Sequence, residues 1–225
     1  MASLQVYDQL LQFPLFLGMS RDELTDIVGH TKFEFLKDSA HHTIIASGSA
    51  CTHLYFLLSG TVSVETRSDD GSYVLTEQLS SPAILQPEAV FGYQQSYTHS
   101  FTSLSSVAIL RIERSEIVRL TQDFLIFRIN LLNLLATHTQ KLLHRPWRRA
   151  PQSLRERIAR FISDHCVYPA GAKTLRIHMT QLATEVGDSR LDVSRALNSL
   201  QDDGLIRLRR GIIEVPQLEC IIHNA

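Results

Sequence analysis

Cysteine is scarce in this 225-residue chain: only Cys51, Cys166 and Cys220 are present, and they lie far apart. Such a set provides no disulfide framework and no clustered thiolates for an iron–sulfur centre. Free, scattered cysteines are typical of a reducing compartment. We therefore predict a cytoplasmic protein without an iron–sulfur cluster.

Long hydrophobic runs are also absent. The most apolar helical stretch, Phe124–Ala136, is interrupted by Arg128, Asn130 and Asn133, whereas a helix needs about 20 predominantly apolar residues to span a bilayer. Residues 1–18 lack the basic segment that opens a secretory signal, and they contain Asp8. These absences predict a soluble protein with no membrane partner.

Recognised enzyme motifs are missing as well. The chain has no glycine-rich phosphate loop, no His-Glu-x-x-His zinc motif and no Gly-x-Ser-x-Gly elbow. A nucleophilic Cys51 would need an activating base, and the sequence identifies none beside it. We expect no enzymatic activity, and therefore no catalytic residue, and no metal site.

The total charge has almost no bias, because 22 basic residues oppose 23 acidic ones and leave a net charge of −1. The distribution along the chain is uneven. Residues 1–143 carry 9 basic and 14 acidic residues, a net of −5, whereas residues 144–225 carry 13 and 9, a net of +4. This asymmetry favours a polyanion as the partner of the C-terminal part.

Short strands are predicted from about Phe33 to Ile112, because β-branched and aromatic runs alternate there with turn signals. Asp70-Gly71 is a strong hairpin signal, since both residues tolerate a positive φ. This pattern indicates a small sandwich or barrel. The predicted strands are Thr43–Ala46, Leu54–Leu58, Thr61–Thr66, Tyr73–Leu79 and Val107–Ile112.

One long helix is predicted over residues 115–143, with two apolar stripes that need two covering surfaces. One stripe can pack on the protein's own strands and the other on a partner helix, which predicts a homodimer. We assign the first stripe to the dimer interface: Phe124, Phe127, Leu131, Leu134 and His138. The second stripe is Leu125, Ile129, Leu132, Ala136 and Leu143.

Residues 144–151 form a predicted hinge, because Pro146 and Pro151 oppose helix continuation and the charge changes sign there. Arg145, Arg148 and Arg149 lie in this segment. They are either solvated or close to the phosphates of a polyanion such as DNA, and the sequence leaves both alternatives open.

Residues 180–215 predict a winged helix-turn-helix. Thr180 is expected to cap a first helix that ends at Gly187, and Ser189, with Asp192 three residues later, a second one. Leu205–Val215 reads as a hairpin with a basic tip. The second helix of such a motif presents its N-terminal side chains to base edges in the major groove. The candidate DNA-binding residues are Thr180, Ser189, Arg190, Asp192, Ser194, Arg195, Arg209 and Arg210.

In this order, the features resemble the Crp/Fnr superfamily of bacterial transcription regulators, over essentially the whole chain. Gly48 followed by Leu54–Val62 is similar to the roll signature of that family. Val186–Arg190 and Val193–Leu197 are similar to its reading-helix motif, and Leu200–Ile206 to the segment that closes it.

The resemblance implies an α+β fold. A double-stranded β-helix (jelly-roll-like) sensor domain of the cyclic-nucleotide-binding type is expected over 1–114, a dimerisation helix over 115–143, a hinge over 144–151 and a winged helix-turn-helix over 152–225. The implied partners are double-stranded DNA, a second copy of the chain, RNA polymerase and a small-molecule effector whose identity is unknown.

The sensor departs from cyclic-AMP-binding members of the family, which carry a Gly-Glu pair and, about ten residues later, an arginine for the phosphate. Here the region reads Ile84–Val90 and then Ser96–Ser100, and the arginine position falls at about Tyr97. A buried phosphate without a cation is costly to desolvate, so we expect no cyclic nucleotide and no resident cofactor. The candidate effector-pocket residues are Leu85, Gln86, Glu88, Tyr97, Thr98, His99 and Leu131.

Leu191 stands where members often have glutamate. Because leucine cannot accept a hydrogen bond from cytosine, the target DNA sequence should differ from that of cyclic-AMP-type members.

Two alternative functions use the same fold. One is a haem-based gas or redox sensor, in which a histidine such as His99 or His138 would be the axial ligand. The other is a scaffold that does not bind DNA. The salt dependence of duplex binding separates a DNA reader from a scaffold, because only the reader releases counterions from phosphates.

Overall fold

The computed structural model describes residues 7–224, which fold into two compact units. The first unit contains the chain up to Val62 together with Ser80–Pro146, and the second contains Ser63–Leu79 with the chain from Trp147 onward. This division differs from the predicted one at residues 63–79, which group with the C-terminal unit. The described helices are all too short or too polar to cross a membrane.

The first unit is built on antiparallel strands. One sheet has the order β1-β8-β3-β6, formed by Phe33–Asp38, Val107–Glu113, His53–Ser59 and Ala83–Leu85. A second ladder pairs β2 with β7, formed by Thr43–Ile45 and Ser100–Ser103. Strands β4 (Thr61–Arg67) and β5 (Tyr73–Ser80), which lie mostly in the second unit, form a hairpin whose turn contains Gly71 at φ 71°. All five predicted strands and the Asp70-Gly71 turn are confirmed.

Aromatic side chains fill the core of the first unit. The Phe13 and Phe56 rings lie 5.0 Å apart, and the Phe16 ring lies 5.4 Å from that of Phe127. Helix α1 (Arg21–His30) begins at Ser20, whose side chain accepts from Glu23 N while Glu23 accepts from Ser20 N. This reciprocal cap satisfies two otherwise unpaired amides.

The predicted long helix is two helices: α2 over Arg114–Asp123 and α3 over Leu125–His144. Phe124, with φ −120° and ψ 107°, interrupts them, so the prediction of one continuous helix was wrong. Thr121, Asp123 and Phe124 all have low helix propensity, and the Thr121 hydroxyl donates to Val118 O. These local preferences explain the break.

The second unit has a four-stranded antiparallel arrangement in the order β10-β11-β9-β5. Its remaining elements are α4 (Leu154–His165), β9 (Lys173–Ile177), α5 (Met179–Val186), α6 (Arg190–Asp202), β10 (Arg207–Arg209), β11 (Ile212–Val215) and α7 (Leu218–Asn224). The sequence analysis missed α7, although buried Leu218 and Ile221 have helical spacing. The predicted α+β organisation, with a sheet-built N-terminal part and a C-terminal helix-turn-helix, is confirmed.

Candidate nucleic-acid interface and effector region

The turn between α5 and α6 has the geometry that the sequence predicts. Gly187 ends α5 in the left-handed conformation (φ 65°, ψ 48°), which glycine adopts without strain. Ser189 Oγ then accepts a hydrogen bond from Asp192 N at 3.1 Å and caps α6. These two local signals fix where the reading helix begins.

The predicted cap at Thr180 is wrong. Helix α5 begins at Met179 and His178 occupies the capping position without a side-chain hydrogen bond. Met179 packs against the buried cluster of the second unit, so burial of an apolar side chain outweighs the capping preference of threonine. Thr180 is exposed in the first turn of α5.

An arginine on α4 bonds to the turn between α5 and α6. Arg157 Nη1 donates to Val186 O at 2.8 Å and to Gly187 O at 3.2 Å, and its Nη2 lies 2.6 Å from Asp188 Oδ2. The hydrogen bond from Ser189 N and the Arg157 guanidinium both lower the pKa of Asp188. The carboxylate therefore stays ionised, and the end of α5 is bonded to α4.

Helix α6 has one buried and one exposed face. Val193, Leu197 and Leu200 are fully buried in the same cluster as Ile158 and Ile162 of α4. Arg190, Arg195 and Asn198 are exposed. The buried face fixes the helix on its unit, and the exposed face carries the polar side chains.

The predicted DNA-binding residues differ in how they are bonded. Ser189 and Asp192 bond to each other, with Ser189 Oγ donating to Asp192 Oδ2 at 2.7 Å, so their polar atoms serve the cap. Arg195 pairs with Asp192 at 3.2 Å, and Ser194 is half-buried. Arg190 is exposed and forms no ion pair within residues 7–224. Its guanidinium is therefore not held by a neighbouring carboxylate, unlike that of Arg195.

The segment after α6 forms the predicted wing. Strands β10 and β11 pair through Leu208 and Ile213, and Arg210-Gly211 makes the turn with Gly211 at φ 70°. Gln201 Oε1 accepts from Leu208 N at 2.7 Å and ties the wing to α6. Arg210 is exposed at the tip, and Arg209 pairs with Glu214 at 3.2 Å.

In the first unit, Gln86 lies in the segment that corresponds to the phosphate cassette of cyclic-AMP-binding proteins. Its backbone is left-handed (φ 43°, ψ 59°), which is uncommon for glutamine. Its carboxamide donates to Thr98 Oγ1 at 2.7 Å and accepts from Thr98 N and His99 N. The structure thus brings three of the predicted pocket residues together through hydrogen bonds.

Tyr97 is buried and has no cationic character. Its hydroxyl donates to His53 O, and burial raises its pKa. The neighbouring Cys51 thiol is also buried, and its pKa is raised for the same reason. The side chain at the predicted phosphate position is therefore neutral.

Glu88 pairs with His138, and both side chains act electrostatically on His99. Glu88 Oε2 lies 3.7 Å from His138 Nδ1, and it is shielded from solvent without a hydrogen-bond partner among the described residues. Burial lowers the pKa of His99, while the Glu88 carboxylate opposes that shift. Leu85 and Leu131 are buried in the same unit. No set of three metal-ligating side chains occurs within residues 7–224.

Of the two apolar stripes on α3, the first is mostly buried and the second is mostly exposed, which is the reverse of what our dimer assignment requires. In the first stripe, Phe127 is 0% exposed and Leu131 5%, because the protein's own core covers them; Phe124 is buried too, and Leu134 and His138 are half-buried. In the second stripe, Leu125, Ile129, Leu132 and Leu143 are 42–66% exposed. The assignment of the first stripe to a partner is therefore corrected: the protein's own core covers most of it, and most of the exposed apolar surface lies on the second stripe.

Two family models match the chain. One, described as a cyclic nucleotide-binding domain, matches residues 37–124, and the other, described as a Crp-like helix-turn-helix domain, matches residues 156–221. They occur in the order of the two parts just described.

Curated relatives are transcription regulators. The cAMP-activated global transcriptional regulator Vfr of Pseudomonas aeruginosa is 24% identical over 180 residues, which cover 76% of this chain and 84% of that protein. The cyclic AMP receptor protein of Thermus thermophilus is 27% identical over 210 residues, which cover 90% and 92%. The crystal structure of the Thermus thermophilus catabolite activator protein has the same fold, with a TM-score of 0.51, 23% identity and coverage of 94% of this chain and 99% of that one.

Proposed function

We propose that this chain, which belongs to the Crp/Fnr superfamily of DNA-binding transcription regulators, acts as a homodimer that reads duplex DNA with α6. One observation carries the proposal. The helix-turn-helix turn is fixed by Gly187, Ser189 and Arg157, and it leaves Arg190 exposed at the first turn of α6. A guanidinium in that position matches the O6 and N7 atoms of guanine.

The exposed stripe of α3 supports the homodimer. Leu125, Ile129 and Leu132 recur at helical spacing, with Leu143 about three turns after Leu132, and each leaves large apolar surface in water. An identical stripe on a second copy would remove that surface from water in a parallel or antiparallel helix pair. Two reading heads would then fit half-sites about 34 Å apart.

Sensing by a small molecule other than cyclic AMP is the second part of the proposal. A cyclic phosphate needs a cation, and Tyr97 is neutral while Glu88 is acidic. The carboxamide of Gln86 already bonds to Thr98 and His99. We propose that an effector of unknown identity binds beside Glu88, His99 and Leu131, that no cofactor is resident and that the regulator contacts RNA polymerase in the cytoplasm.

The test uses the purified full-length chain. Selection from random duplexes should yield an operator with two related half-sites, and sedimentation should show two chains on each operator. Selection without enrichment would contradict the DNA-reading proposal and favour a scaffold. Titration calorimetry with cyclic AMP should show no heat of binding, and micromolar affinity would overturn the sensor argument. The absorption spectrum should lack a Soret band, whose presence would favour the haem alternative.

A further inference from the structure

Two successive backbone amides of the first unit form an anion-binding nest, and the side chain of Gln86 fills it. The carboxamide oxygen accepts from Thr98 N at 3.1 Å and from His99 N at 3.3 Å, and the nitrogen donates to Thr98 Oγ1 at 2.7 Å. Because backbone N–H groups can only donate, the atom that faces them is the carboxamide oxygen. Successive N–H groups that converge on one oxygen are a site for an anion.

The carboxamide is held firmly in this nest. Gln86 is 6% exposed, and its three hydrogen bonds engage both ends of the carboxamide. Its backbone has φ 43°, which residues other than glycine rarely adopt. A phosphate or carboxylate could enter only if the buried carboxamide gave up all three bonds. The nest is therefore closed to an anionic ligand.

Glu88, two residues further along the chain, has the opposite need. Its Oε2 atom is shielded from solvent and has no hydrogen-bond partner among the described residues. His138 Nδ1 lies 3.7 Å from it, which is longer than a hydrogen bond. A shielded carboxylate oxygen without a donor is costly, so a donor from outside the chain would stabilise this site.

The side chains around Glu88 leave room for such a donor. Burial lowers the pKa of His99, so its ring carries no positive charge at neutral pH. The side chains of Glu88 and His138 are 38% and 37% exposed, and a small molecule can therefore reach them from solvent. Glu88, His99 and His138 all belong to the first unit.

A metal ion fits this site less well than an organic donor. A bound metal needs several oxygen, nitrogen or sulfur ligands at once, and no set of three metal-ligating side chains lies together in the described part of the chain. An amidinium or guanidinium needs only one carboxylate, because two parallel N–H groups match its two oxygens.

We propose that the site beside Glu88 binds a small organic cation with N–H donors (an amine, amidine or guanidine), and that Gln86 excludes ligands with a phosphate or carboxylate. The proposal deepens the proposed function, because it names the chemical class of the effector. It rests on that function for the regulatory consequence of binding and not for the binding itself.

Three probes of the same shape and different charge test the ligand class. Benzamidine is cationic, benzamide neutral and benzoate anionic, and each is added to the full-length chain with ¹³C-labelled histidine rings. Benzamidine should shift the ring signals of His99 and His138 in a saturable way, with a dissociation constant of about 1–10 mM, as expected for a ligand of this size. Benzamide should bind at least about tenfold more weakly, because its donors carry no charge, and benzoate should not saturate. Equal binding of the three probes, or no saturable shift with benzamidine, would overturn the proposal.

A matched pair of variants tests the role of Glu88. Glu88→Gln keeps the shape of the side chain and removes its charge, so benzamidine should bind at least about tenfold more weakly. Glu113→Gln removes an exposed carboxylate of the same unit and should leave the affinity unchanged. Wild-type affinity in Glu88→Gln, or an equal loss in both variants, would rule out Glu88 as the partner of the cation.

Gln86→Gly tests the exclusion of anions. Glycine suits the left-handed backbone, so the variant should fold, and the nest loses its occupant. Acetate has the size of the missing carboxamide, and it should shift the amide signals of Thr98 and His99 in this variant but not in the wild type. Saturable acetate binding to the wild type, or none to Gln86→Gly, would contradict the role of Gln86.

Operator affinity, measured with and without saturating benzamidine, separates this proposal from the proposed function. A change in affinity would support both. No benzamidine binding by a chain that still reads its operator would overturn the ligand class alone. Benzamidine binding that leaves operator affinity unchanged would confirm the cation site and contradict its role as the sensor.

Discussion

Arg157 Nη2 lies 2.6 Å from Oδ2 of Asp188, the residue between the end of α5 and the cap of α6. The same guanidinium bonds the carbonyls of Val186 and Gly187. One side chain on α4 thereby closes the last turn of α5 and positions the segment from which Arg190 projects. The position of α6 thus depends on a residue that lies outside the helix-turn-helix.

Replacing that residue should weaken both folding and DNA binding. Arg157→Met removes charge-assisted hydrogen bonds from a partly exposed site, so we expect a loss of about 1–2 kcal/mol in the free energy of unfolding. Arg148→Met is the matched control, because Arg148 also forms one ion pair, with Asp164 at 3.1 Å, but does not touch the turn. Denaturant unfolding and operator affinity measure both variants. Equal losses in the two would contradict the positioning role of Arg157.

Arg190 should carry base-specific affinity. Arg190→Ala is expected to remove about 1–3 kcal/mol of discrimination at one base pair of the selected operator. Arg210→Ala at the wing tip should weaken operator and scrambled duplexes alike, since phosphate contacts are independent of sequence. If Arg190→Ala also weakens both duplexes equally, Arg190 contacts a phosphate and the base-reading assignment is wrong.

The exposed stripe of α3 should hold the dimer together. Leu132 is 61% exposed, and Leu132→Arg would place a charge in both halves of the proposed interface. We expect the dissociation constant of the dimer to rise about a hundredfold or more, because two buried leucines are lost. Thr137→Arg adds the same charge on another face of the helix and should leave it unchanged. Sedimentation equilibrium distinguishes these outcomes, and a wild-type dissociation constant for Leu132→Arg would contradict this interface.

His99 should make folding sensitive to mild acid. Because burial lowers its pKa in the folded state, the stability that neutral His99 contributes is complete above about pH 6.5 and is lost as the pH falls towards the lower folded value. His99→Gln should flatten the fall of unfolding free energy below pH 6.5, and His144→Gln, at an exposed position, should not. In every variant the free energy of unfolding should still fall somewhat with decreasing pH, since burial also lowers the pKa of His53. An unchanged slope in His99→Gln would contradict this assignment.

Local signals made the reading head predictable from the sequence. Gly187, Ser189 and Gly211 each act within a few residues, so their turns and caps follow from residue type alone. The predicted cap at Thr180 is wrong, because packing of Met179 on the core stabilises the chain more than a threonine cap would. The break at Phe124 was not predicted, because the two apolar stripes keep their helical spacing across a break of one residue.

Contacts between distant segments were not predictable. The β-branched run at Tyr73–Leu79 predicts a strand, yet nothing in it shows that Glu77 meets Lys173 or that Leu75 enters the core around α6. Likewise, the two stripes of α3 were visible, but which one is buried depends on Phe16, more than a hundred residues earlier. The hydrogen bonds of Arg157 were not predictable either. The apolar spacing of α4 predicts an amphipathic helix, but it does not show which carbonyls the Arg157 guanidinium bonds.

Sequence-specific reading is tested most directly by the affinity of the full-length dimer for its selected operator as a function of salt, measured beside a scrambled duplex of equal length. We expect both affinities to fall steeply with salt, because phosphates release counterions, while the operator remains about a thousandfold tighter or more at physiological salt. Arg190→Ala should reduce the ratio of operator affinity to scrambled-duplex affinity, without changing the slope of log affinity against log salt concentration. Equal affinity for both duplexes at every salt concentration, or no duplex binding at all, would contradict the claim that this chain is a sequence-reading regulator.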